Sequence, residues 1–195
     1  GQLSVINCTT SGVYNNYFIR LKTGDADIKN LLIDNSVIDS FGIRAKYAVL
    51  YANASSTAKI DNITVQNSTL SSFYYFIRQD GITGTSVTIN NCTFNDMINQ
   101  GGYFINYSGT FPSVFNINNS IFGRTLDATN ANGIKAAGNA VLSNCYMVSD
   151  CVFSANPITG ATSYAGTAAD LFTDPDHGNF SFKDNSFAGK STSGD

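Results

Sequence analysis

Seven segments of the chain repeat one pattern of hydrophobic and polar positions, apolar-x-apolar-x-Asn-Ser/Cys, alternating with period two ahead of the Asn. They are Leu3-Ser4-Val5-Ile6-Asn7-Cys8, Leu31-Leu32-Ile33-Asp34-Asn35-Ser36, Ile63-Thr64-Val65-Gln66-Asn67-Ser68, Val87-Thr88-Ile89-Asn90-Asn91-Cys92, Phe115-Asn116-Ile117-Asn118-Asn119-Ser120, Ala140-Val141-Leu142-Ser143-Asn144-Cys145 and Phe180-Ser181-Phe182-Lys183-Asp184-Asn185, with Asp in place of the corner Asn in the last. Such alternation predicts short half-buried strands. The Asn predicts a corner, because Asn tolerates the left-handed backbone region and its amide can donate to and accept from the same residue one coil away. The corners at 7, 35, 67, 91, 119, 144 and 184 are 28, 32, 24, 28, 25 and 40 residues apart, which is solenoid spacing. Stacked coils would bury these residues between them as an Asn ladder.

A second motif follows each corner: Tyr17-Phe18-Ile19-Arg20, Tyr47-Ala48-Val49-Leu50, Tyr75-Phe76-Ile77-Arg78, Tyr103-Phe104-Ile105-Asn106 and, more weakly, Asn132-Gly133-Ile134-Lys135. Positions 19, 49, 77, 105 and 134 are never polar and are expected inside. Alternation then places Phe18, Phe76 and Phe104 outside, together with Arg20, Arg78, Asn106 and Lys135. The expected fold is all-β: a right-handed, single-stranded parallel β-helix of about seven coils, a rod about 30 Å long at the usual strand spacing. It would occupy residues 1–195 as one domain, with 150–178 an excursion and closing turn before the last coil. An uncapped first coil would expose a row of backbone groups, so a preceding segment or flanking domain of a longer parent protein is expected to cover it.

Composition agrees with this picture. No Glu occurs, Asn appears 23 times, and Asn, Asp, Gly, Ser and Thr favour turns over helices. A net charge of −3 leaves no basic face for a nucleic-acid backbone, and no apolar run reaches the roughly 20 residues of a membrane span. Cys8, Cys92 and Cys145 occupy one motif position several rungs apart, too far for bridges, and read as buried thiols. The pair Cys145 and Cys151 shares a coil, so its pairing stays open. Eight Asn-x-Ser/Thr sequons, three at corner Asn residues, follow from the ladder composition.

The segment Asp170-Leu171-Phe172-Thr173-Asp174-Pro175-Asp176-His177-Gly178-Asn179-Phe180-Ser181-Phe182 reads as strand, Pro-Asp turn, Gly and return strand, a hairpin-like closure. Together with the Val-Thr-Ile-Asn-Asn-Cys-Thr-Phe type of coil, it resembles the closing coil of pectate-lyase-like β-helix proteins. More narrowly, the chain resembles uncharacterised β-helix domains of secreted or surface-anchored Bacteroidetes proteins from polysaccharide-utilisation systems. The resemblance implies a secreted or cell-surface bacterial location and a glycan partner.

Pectate lyases, as that resemblance implies, use an Arg or Lys base and Ca²⁺ held by several carboxylates on one outer sheet. Basic residues are present at Arg20, Lys22, Arg44, Lys46, Arg78 and Lys135, whereas carboxylates are sparse, with Asp25, Asp27 and Asp80 the best candidates. Ile19-Arg20-Leu21-Lys22-Thr23 and Ile43-Arg44-Ala45-Lys46 are similar to the Arg-x-Lys motif of polygalacturonases, but no Asp-Asp pair, Asn-Thr-Asp or Gly-His-Gly accompanies them. The expectation is an accessory, non-catalytic module binding an acidic polysaccharide through Arg20, Lys22, Arg78, Lys135, Phe18, Phe76 and Phe104, with no metal or cofactor. The alternatives are a Ca²⁺-dependent lyase and a structural spacer or adhesin stalk. Asp174 and Asp176 read as turn residues around Pro175, and His177 as a surface turn residue.

Overall fold

The computed structural model describes residues 1–194 except 23, 45, 53–56, 82, 83, 108, 109, 136, 137 and 139. Its strands stack in parallel as a β-solenoid. One face carries Gln2–Ile6, Asp27–Asp34, the start of Lys59–Phe73, the start of Ser86–Met97, Val114–Asn118 and Val141–Ser143, each paired with the next. A second sheet stacks Ile19–Leu21, Ala48–Ala52, Tyr75–Gln79, Tyr103–Tyr107 and Asn132–Lys135.

The corners between faces are set by single residues. Asn7, Asn35, Asn67, Asn91, Asn119 and Asn144 all have φ between 46° and 55°, the left-handed conformation that Asn tolerates. Their amides link the rungs: Asn35 Nδ2 donates to Asn7 Oδ1 (2.7 Å), Asn91 to Asn67 (3.3 Å) and Asn144 to Asn119 (3.0 Å). Asn67 and Asn119 instead donate to Asp34 and Asn90, one position before the neighbouring corner. The ladder lies at the surface rather than buried between coils, because the turn pushes these side chains outward; Asn7, Asn35, Asn67 and Asn144 are exposed. A second left-handed column, at Ser40, Ser72 and Asp96, turns the next corner, with φ of 61°, 55° and 48°. Its mixed residue types gave no repeat to read.

The position after each corner Asn forms a Ser/Cys column. Ser36, Ser68 and Ser120 donate to the carbonyl two residues back at 2.6–2.8 Å, and Cys8, Cys92 and Cys145 do the same at 3.3–3.4 Å. Where the next rung carries Ser, its hydroxyl accepts the preceding rung's N–H, as from Cys8 to Ser36, Ser36 to Ser68 and Cys92 to Ser120. Ser and Cys interchange there because each can donate to the same carbonyl within one small volume, Ser strongly and Cys weakly. All four cysteines are unbridged, including Cys145 and Cys151.

The lumen is filled by aligned apolar columns. Leu31, Ile63, Val87 and Phe115 form one and Ile33, Val65, Ile89 and Ile117 another, all nearly or fully buried. Leu50, Ile77 and Ile105 line the opposite wall.

Six Asn corners mean about five turns, not seven coils. The segment at Asp184 does not form a rung, because Phe172–Asp174 and Asn179–Phe182 pair antiparallel around the turn Pro175–His177 and Gly178 (φ 77°). That is the hairpin closure. Part of 150–178 also continues the stack, since Ala155 bridges Asn132 and Thr162–Ser163 pairs with Tyr146–Met147. This segment lies close on the rung before it, where Gly133 is required because a Cβ there would lie 2.1 Å from Asn156 O.

The two ends differ. At the C-terminal end the helix Ala168–Leu171, capped by Thr167, buries Leu171, while Phe172 stacks on Phe182 and Phe187 packs on Tyr146 and Tyr164. At the other end Leu3 is 36% exposed, whereas Leu31, its neighbour in the same column, is 1% exposed.

Candidate functional site

The outer face of the second sheet carries a column in strict register: Arg20 pairs with Tyr51, Tyr51 with Arg78, Arg78 with Asn106 and Asn106 with Lys135. Outward direction follows from alternation, since Ile77 and Gln79 on either side of Arg78 are fully buried. Beside the column lie Tyr17, Tyr75 and Tyr103. Tyr17 stacks on Tyr51 with centroids 4.7 Å apart and planes at 14°, and Tyr75 on Tyr103 at 6.2 Å and 12°.

The cations sit on these rings. The Arg20 guanidinium lies 4.7 Å from the Tyr17 centroid and 5.9 Å from that of Tyr51. Arg78 is 5.4 Å from both Tyr51 and Tyr75, and Lys135 Nζ is 5.8 Å from Tyr103. Each contact is worth about 0.5–1 kcal/mol at an exposed site, and together they restrain flexible side chains beside the rings. Asp80 grips the Arg78 fork from one side, at 2.9 Å to Nε and 2.7 Å to a terminal nitrogen. That leaves other guanidinium donors for a ligand.

Electrostatics keep the surface in one state. Burial raises the pKa of the Tyr17, Tyr51 and Tyr75 phenols, so their hydroxyls remain donors well into alkaline pH. For Arg78, burial works against the charge, but the hydrogen bonds and charge of Asp80 outweigh it and raise its pKa. Arg20 and Lys135 are exposed and Arg78 is half-buried. Asn106 is nearly buried and its Oδ1 has no hydrogen-bond partner among the described residues.

The structure therefore brings Arg20, Arg78 and Lys135 together on one outer face, with Lys22 exposed two residues beyond Arg20. It does not place the phenylalanines there. Phe76 and Phe104 are fully buried, packing at 5.3 and 4.9 Å on Phe94, and Phe18 is half-buried against Phe41. Phe76 and Ile77 are consecutive and both buried, so the alternation does not extend back past Ile77. The break falls at the start of the strands Tyr75–Gln79 and Tyr103–Tyr107, a few residues after the left-handed Ser72 and, one rung on, Gln100 and Gly101. The aromatics on the outer face are tyrosines. Their signal was the Tyr preceding each Phe, and Tyr51 was masked by a one-residue offset: Leu50, not Val49, pairs with Ile19 and Ile77.

The other candidate residues do not converge. Arg44 lies over Tyr14 at 4.8 Å, and Ala45 of the second Arg-x-Lys motif is outside the described residues. Asp27 pairs with Lys29, and Asp25 accepts from Thr57. Among the described residues no group of three or more His, Cys or Asp side chains is arranged to hold a metal ion. No helix among them is long and apolar enough to cross a membrane.

A cleft of about 460 Å³ opens where the closing hairpin meets the second corner, lined by Asp39, Ser40, Ser71, Asp96, Asp176 and His177. Its carboxylates are occupied. Asp39 accepts from Ser40 and Ser71, and Arg124 bridges Asp96 to Asp176, tying the hairpin turn to the solenoid. His177 is a largely exposed turn residue, with Nδ1 2.9 Å from Asp174.

Comparison with curated proteins and with solved structures gives no match. The family model described as Domain of unknown function (DUF5123) matches residues 87–195, from the fourth rung to the end and over more than half of the chain, so the chain belongs to that family.

Proposed function

We propose that this β-helix is a non-catalytic polysaccharide-binding module of a secreted or surface-attached bacterial glycan-processing protein, akin to pectate-lyase-like β-helices. The observation that carries the reading is the continuous ribbon of Tyr17, Arg20, Tyr51, Tyr75, Arg78, Tyr103 and Lys135 along the outer face of the second sheet. The tyrosine rings and hydroxyls offer apolar contact and hydrogen bonds to sugars, and the guanidinium and ammonium groups pair with carboxylates or sulfates. An accessory role is favoured over a lyase because Asp80 is committed to Arg78 and the cleft carboxylates to Arg124 and to serine hydroxyls.

The test is binding to an immobilised array of acidic and neutral polysaccharides, with Arg20→Ala plus Arg78→Ala as the variant. Two surface ion pairs of up to ~1 kcal/mol each predict binding to acidic glycans weaker by up to about thirtyfold. Unchanged binding would remove the ribbon from the account. Release of unsaturated products in the presence of Ca²⁺ would favour the lyase, and failure to bind any glycan would favour a spacer.

A further inference from the structure

The column facing solvent reads Arg20, Tyr51, Arg78, Asn106, Lys135, so cations occupy the first, third and fifth rungs and neutral residues the second and fourth. At the usual strand spacing, the backbone positions of successive cations are about 10 Å apart and the whole column spans about 19 Å. We infer that the ribbon selects an extended anionic glycan whose charged groups recur on one face at every second sugar, lying parallel to the solenoid axis. This rests on the glycan-binding reading above and adds the period and direction of the ligand.

Three features support the period. A pyranose in an extended chain advances by about one rung, so successive sugars meet successive members of the column. The neutral rungs are nearly buried, Tyr51 at 8% and Asn106 at 9% exposure, so they bring no cationic side chain of their own to an anion. The cations are also held in place by rings on their own or adjoining rungs, Arg20 by Tyr17 and Tyr51, Arg78 by Tyr51 and Tyr75, and Lys135 by Tyr103. Cations fixed at set intervals distinguish spacing, whereas mobile lysines would respond only to total charge. A nucleic acid fits poorly, because the chain is net negative at −3 and the column offers three cations.

The experiment compares hexasaccharides of one length on the unmodified protein: neutral, charged on every third sugar, charged on alternate sugars, and charged on every sugar. The alternate pattern should bind about tenfold tighter than the every-third pattern, which aligns fewer ion pairs, and within about threefold of the fully charged chain. Affinity that climbs with total charge irrespective of spacing would overturn the inferred period while leaving glycan binding intact. No binding to any charged hexasaccharide, or tighter binding to single-stranded DNA of similar length, would overturn both. Arg20→Ala plus Lys135→Ala, two exposed positions, should abolish the preference for alternate charges. Lys183→Ala on the closing hairpin should leave it unchanged, and equal loss in both variants would also overturn the period.

Discussion

Asn67 occupies a left-handed corner at φ 48°, donates to Asp34 Oδ1 at 2.9 Å and accepts from Asn91 Nδ2 at 3.3 Å. Asn67→Ala removes both hydrogen bonds, worth about 0.5 kcal/mol each at an exposed position. It also leaves a Cβ-bearing residue without Asn's local compensation in the left-handed region, at about 1–2 kcal/mol. The expected loss is therefore ~2–3 kcal/mol. Asn67→Gly loses the same bonds but accepts the backbone conformation, with about 0.4–1 kcal/mol of added unfolded-state entropy, for a total near 1.5–2 kcal/mol. Urea unfolding followed by far-ultraviolet circular dichroism separates the two through the midpoint at constant slope. Glycine should be the milder substitution. If alanine were tolerated as well as glycine, or neither shifted the midpoint, the corner would not be held by the backbone and amide terms assigned to it.

Other consequences follow from burial and pairing. Phe104→Ala should cost about 3–5 kcal/mol in the same assay, as a core deletion does, rather than the ±0.5 kcal/mol of a surface site. Ser120→Ala orphans the buried Cys92 N–H and should cost about 1–3 kcal/mol, while Ser120→Cys should cost less, because Cys fills the same position in neighbouring rungs. The Thr85 hydroxyl, and after it Lys59, hold the Asp61 carboxyl below its ordinary 3.8. Its contribution is therefore complete above that value and is lost as pH falls through the lower folded value, so Asp61→Asn should flatten the decline of Tm on acidification below roughly pH 4.

The sequence carried the first face almost in full, because its columns obey two rules at once: period-two alternation and a turn residue with its own backbone preference. Asn7 through Asn144 could be aligned by eye for that reason. The register failed where only one rule applied. Tyr47-Ala48-Val49-Leu50 satisfies the apolar pattern in either of two offsets, and only stacking decides that Leu50 and Tyr51 belong beside Ile77 and Arg78. Phe76 and Phe104 were misplaced because strict alternation was carried back to the start of their strands, where two consecutive residues are buried. Phe180–Phe182 matched the repeat in spacing of apolar residues alone; the turn at Pro175–Gly178 folds it back on Phe172 before it can stack as a rung. Of the candidate site, the three cations were legible as outward positions. Asn106 was legible with them, whereas the place of Tyr51 between Arg20 and Arg78 depended on register and was not.

The most direct test of the central claim is the structure of the protein with a hexasaccharide charged on alternate sugars. The account predicts an extended chain along the solenoid axis, rings over Tyr17, Tyr75 and Tyr103, and successive anionic groups at Arg20, Arg78 and Lys135. A ligand lying across the rungs, or seated instead in the cleft beside Asp39 and His177, would contradict it.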